Sequence, residues 1–171
     1  MYSSIQIANF FIEQSLKERE YLTPMKLQKL VFFAHGWHLA YKDVGLLDEQ
    51  VEAWKFGPVV SSLYHRVKRY GNTFVKEPIS DFDQITFQEV VPCISNEDIE
   101  TRVFLESIWN VYKKFSGTAL SDATHVEGSP WYRVYNDPAN QPLKNGTDIP
   151  EEYIKEYFKS KMTKATPVAV A

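Results

Sequence analysis

The sequence of 171 residues is poor in several respects, and each shortage excludes something. A single cysteine, Cys93, leaves no internal disulfide and no multi-thiolate zinc site within one chain, which suits a reducing cytosol. Seven scattered glycines form neither G-x-G-x-x-G nor the P-loop pattern, so a phosphate-cradling loop is not expected. No uncharged apolar run approaches the roughly 18 residues of a membrane span. The first residues, Met1-Tyr2-Ser3-Ser4-Ile5, place no basic region before an apolar one; no secretory signal is expected and the chain reads as cytoplasmic. Positive charge is not in excess either. Lys and Arg total 19 against 22 Asp and Glu, a net −3 that gives no footprint for coating nucleic acid.

What is present is enough to build a core. A hydrophobic fraction of 44% with 24% charged residues describes a globular chain of one-domain size, not a disordered one. Aromatics make up 15%, with tryptophan at 37, 54, 109 and 131. Such side chains serve cores and binding hot spots alike, and composition does not separate the two uses. Charge is unevenly placed. Residues 1–70 carry nine basic and seven acidic groups, 71–130 four and ten, and 131–171 six and five. The acidic middle third offers either a face for a basic partner or a solvated surface.

Helical spacing dominates the pattern. A first helix is expected from Ser3 or Ser4 to about Glu20, and a second from the Thr23 cap and Pro24 to about residue 42, apolar over a wide arc and therefore central. A short strand or extended link is expected at 51–56, followed by a helix entered through Pro58 and stopped at Gly71. Arg66, Lys68 and Arg69 fall in its last turn, as a dipole complement or a basic patch. Residues 72–94 read as a loop with a short strand or hairpin arm. A fourth helix capped by Ser95 would bury Val103, Phe104, Ile108, Val111, Tyr112 and Phe115; a short fifth covers 118–126. A long irregular connection then leads to a last helix capped by Asp148, with Ile154, Tyr157 and Phe158 inward.

Chemistry is sparsely signalled. His35 and His38 stand at i and i+3, but a zinc site needs a third protein ligand, and only Asp122 and His125 are plausible recruits. No metal or cofactor is expected. Cys93 has no adjacent base and no serine sits in G-x-S-x-G. The first two helices are not a DNA reader, because the second is too apolar to lie in a groove.

Four segments carry a likeness to a known family. They are Thr23-Pro24-Met25-Lys26-Leu27-Gln28-Lys29-Leu30, Ala34-His35-Gly36-Trp37-His38-Leu39, Glu52-Ala53-Trp54-Lys55-Phe56-Gly57-Pro58-Val59-Val60, and Leu120-Ser121-Asp122-Ala123-Thr124-His125 followed by Pro130-Trp131. In order and spacing, from about Ile5 to Trp131, they resemble the Panacea domain, the antitoxin domain of the SocA type that also occurs in GepA-like phage-associated proteins. Ser61 departs from the family pattern, which often has proline or another apolar residue there. The resemblance implies a non-enzymatic antitoxin that neutralises a cognate protein toxin by direct binding, and in the SocA-type case acts as an adaptor presenting it to the ClpXP protease.

It points to Lys26, Gln28, His35, Trp37, His38, Trp54, Gly57, Pro58, Thr124, His125 and Trp131 as partner-binding or structural residues. The expected architecture is mainly α: one compact helical domain of about six helices over residues 1–162, room for a small β element, and a flexible tail at 163–171. That tail ends in small apolar residues, as termini engaged by such proteases do. The alternatives are a phage-associated protein binding another host factor, and a small hydrolase-like enzyme using His35, His38 and His125.

Overall fold

In the computed structural model, which describes residues 1–140 and 146–164, with side chains to 162, everything is arranged around one helix. This is α2, Pro24–Lys42, capped by the Thr23 hydroxyl on the Lys26 N–H with proline at its first position. It is buried nearly all round and touches α1 (Ser4–Glu18), α3 (Ser61–Val67), α4 (Ile99–Tyr112), α5 (Gly117–Thr124) and α7 (Glu151–Lys164). The wide apolar arc in the sequence is the cause, because a helix without a polar face must be enclosed. Ser3 and Gln6 close a capping box at the start of α1. Residues 165–171 of the expected tail lie outside the described residues.

Gly36 of α2 lets α7 approach. A Cβ there would run into the Phe158 ring, which sits over the helix backbone and meets Phe32, Phe33 and Trp37 edge-on. Burying such a ring contributes about 2–3 kcal/mol.

The domain is mainly α with a small β element: seven helices among the described residues and two antiparallel pairs, β1 (Glu52–Trp54) with β2 (Gly57–Val59), and β3 (Asp81–Asp83) with β4 (Gln88–Val90). Segment 147–149 extends the first pair, through Ala53 N–H to Thr147 O at 2.8 Å and Ile149 N–H to Val51 O at 2.7 Å.

Four local readings need correction. Pro58 does not open a helix; it lies in β2 opposite Ala53, and α3 begins three residues later. The tight turn before it leads straight back into pairing, and the proline carbonyl, not a helix dipole, is what its neighbours use. Asp98, not Ser95, caps α4, because its carboxylate reaches the Thr101 N–H at 3.0 Å, whereas Ser95 Oγ closes a local turn onto Glu97. The inward stripe of α4 is Leu105, Ile108 and Trp109, leaving Val103 58% and Val111 52% exposed. Trp109 sets this phase by stacking on Phe11 and donating to Glu18 at 3.0 Å. Finally, α6 (Pro130–Tyr135) occupies part of the stretch read as irregular, capped by Ser129 with Pro130 at its first position.

Candidate functional site

Three distant segments meet at the β1–β2 hairpin. The chain turns through Lys55 and Phe56, and Gly57 takes φ +101°, a left-handed conformation natural to glycine. A side chain would also find no room, since a Cβ there would stand 2.5 Å from Lys29 Nζ and 2.7 Å from Thr124 Oγ1.

The carbonyls of the turn are then taken up by donors from three helices. Trp131 Nε1 of α6 donates to Trp54 O at 2.7 Å, Ser121 Oγ of α5 to Phe56 O at 3.0 Å, and Lys29 Nζ of α2 to Pro58 O at 3.0 Å. Gln28 holds Val60, just past β2, from both sides: its amide donates to Val60 O at 3.1 Å and its oxygen accepts the Val60 N–H at 3.0 Å. Leaving such a buried group unpaired costs about 1–3 kcal/mol, so these side chains are what allow a polar turn to pack against helices.

His125 completes the corner. Its Nδ1 faces Ser121 O at 2.6 Å and therefore carries a proton, and its ring lies 3.9 Å, centre to centre, from that of Trp131. Thr124 Oγ1 donates to the same Ser121 carbonyl at 2.6 Å. Trp131 in turn stacks on Tyr135. Burial, with Lys29 1% exposed, pushes its amine down to about 7. Lys26, one turn earlier, is also buried, which lowers its pKa; it donates to Lys113 O and ties α2 to the end of α4.

The remaining motif residues lie toward the other end of α2. His35 Nδ1 accepts the Leu47 N–H at 3.3 Å, and its Nε2 faces Glu151 at 3.6 Å. Burial, helped by the nearby His38, pushes His35 down to about 4, so the imidazole is neutral near pH 7 and the Glu151 contact is not an ion pair there. His38 donates from Nδ1 to Val44 O at 2.7 Å, and Trp37 Nε1 to the Tyr112 hydroxyl at 2.8 Å. The histidines considered together for an enzyme thus serve separate contacts: His35 and His38 pin the 44–47 loop, and His125 the hairpin. Among the described residues no group of three His, Cys, Asp or Glu could hold a metal ion.

Sequence reading missed the roles of Lys29 and Ser121, although both fall inside the motifs. The available signal for Lys29 was a cation on a helix with no polar face to receive it. The basic cluster has a plainer use: Arg66 reaches Ser80 O and Asp81, and Arg69 reaches Glu77, both anchoring the strand-bearing loop.

Beside the hairpin opens a cleft of about 380 Å³. Pro24, Met25, Val59 and Val67 contribute apolar lining, with Trp54, Phe56 and Tyr64 also at the surface. Phe56 is 62% exposed. The arrangement suits burial of an apolar group.

A family model described as "Antitoxin SocA-like, Panacea domain" matches residues 27–132, a stretch containing the hairpin and each of its three carbonyl donors. Antitoxin SocA of Caulobacter vibrioides is 27% identical over 154 residues, covering 90% of this chain and 80% of its own. No solved structure gives a significant match. Among the described residues no helix is long and apolar enough to cross a membrane.

Proposed function

The chain belongs to the SocA-like antitoxin family that shares the Panacea domain, and from that premise we propose that it is a cytoplasmic antitoxin neutralising a protein toxin by direct, non-enzymatic binding. The supporting observation is the way the motif side chains are spent. Lys29, Gln28, Ser121 and Trp131 direct their donors at backbone carbonyls of one corner. Residues used in this way shape a surface and do not present a reactive constellation. Neutralisation then comes from covering the toxin, and presentation of the covered toxin to ClpXP is the adaptor form of the same contact.

Co-expression with the product of the adjacent reading frame tests this. Growth should be rescued and the two chains should co-purify; absence of both would remove the reading. Toxin half-life in cells with and without ClpXP separates holding from delivery, since only delivery shortens it when the protease is active.

A further inference from the structure

Among the described residues, a dense run of uncompensated acidic charge coincides with several strongly exposed apolar side chains. Residues 77–106 carry eight acidic groups and one basic. Glu77, Asp81 and Glu100 pair with Arg69, Arg66 and Lys42. Among the described residues no cation pairs with Asp83, Glu89, Glu97 or Glu106. Between these carboxylates stand Ile85, 90% exposed, Phe87, 75%, and Ile99, 67%. The foot of the arm and the start of α4 adjoin, because the hollow beside Val91 and the one beside Ile99 share Phe10 and Arg102 as walls.

The β3–β4 arm is set in shape before any partner arrives. Asp83 Oδ1 accepts the Ile85 N–H at 2.7 Å and the Thr86 N–H at 3.2 Å, and the carboxyl is held below its usual range by those two bonds. Phe87 then takes φ +54°, a conformation that bulky residues avoid, with Phe82 as its ring contact. An aromatic ring held in a strained backbone and turned to water gains little from the isolated chain.

We propose that this face, the arm together with the first turns of α4, is where the toxin docks, and that the toxin presents an apolar groove rimmed by Lys or Arg. The inference rests on the antitoxin reading above. Apolar anchors accompanied by carboxylates that have no cationic partner fit a basic rim, whereas a second copy of the chain would bring like charges together.

The product of the adjacent reading frame, titrated calorimetrically against the full chain at low and high salt, is the probe. Ile85→Thr with Phe87→Asn, asparagine tolerating the left-handed backbone, should weaken binding about 30-fold or more with an unchanged melting temperature. Glu89→Gln, Glu97→Gln and Glu106→Gln together should weaken it less and flatten its salt dependence. Arm variants that bind like the unsubstituted chain would overturn the surface, as would loss confined to Phe56→Ser at the cleft. A dimer of the free chain that Phe87→Asn dissolves would also overturn it by assigning the face to a second copy. If the unsubstituted chain neither binds nor rescues, the antitoxin reading fails and takes the surface with it; binding indifferent to the arm overturns the surface alone.

Discussion

The described residues contain two hairpins of three-residue strands, and they are built on opposite plans. In β1–β2 the left-handed position is a glycine, and donors from α2, α5 and α6 reach in to take the carbonyls of the turn. In β3–β4 the left-handed position is a phenylalanine, the turn is held by its own Asp83, and the large apolar side chains face water. A hairpin whose polar groups are satisfied by distant parts of the chain is a joint of the fold. One held from α3 only at its foot, by Arg66, and closed by its own carboxylate at the turn projects, and its side chains are available to something else.

Substitutions can break or sharpen that contrast. The largest effect is expected at the joint. Trp131→Ala removes the donor to Trp54 O, the His125 contact and the Tyr135 stack, and should cost about 4 kcal/mol in urea unfolding. A cost near that of a surface change would show that the β1–β2 corner is no joint.

Next comes His35, at the other end of the central helix. Unfolded imidazole gains its proton near pH 6.5 and the folded one near 4, so unfolding takes up a proton in that window. Stability should therefore fall by about 3 kcal/mol as pH drops from 6.5 to 4, on top of carboxylate effects, and His35→Gln should lose that component. Lys29 follows with the same sign at higher pH. Its folded pKa of about 7 lies below the unfolded lysine value, so stability should rise by roughly 2 kcal/mol between pH 7 and 9, a rise absent in Lys29→Met. The smallest effect is expected on the arm. Ile85→Thr should move unfolding by about 0.5 kcal/mol or less, as an exposed position does. A larger loss would mean that the arm braces the fold and would erase the contrast.

The sequence made the joint more legible than its purpose. Thr23-Pro24 announced α2 to the residue, and the wide apolar arc correctly placed it at the centre. The same serine-or-threonine-then-proline signature stands at Ser129-Pro130, at the head of the stretch that otherwise reads as irregular, and there too it opens a helix. At Gly57-Pro58 local punctuation misled. Proline at the start of a helix and proline in a strand look alike in one dimension, and only the donors arriving from α2, α5 and α6 decide between them. For α4 the apolar positions were ambiguous in phase. Packing of Trp109 on Phe11 selected one face and left Val103 and Val111 turned to water. The acidic middle third was visible from charge counting, but the adjoining of the hollow beside Val91 and the one beside Ile99, through Phe10 and Arg102, depends on packing that charge counting does not report.

The seat of Phe158 on Gly36 has a consequence in time. The central helix is made early on the ribosome, while the ring that closes over it belongs to α7, made long afterwards. Until α7 emerges, Phe32, Phe33 and Trp37 lack this cover, and the nascent chain exposes the apolar surface that proteases and chaperones recognise. Synthesis rate and the survival of newly made molecules are thus coupled through one ring, and slowing translation before α7 should lower the yield of folded protein more than slowing it afterwards.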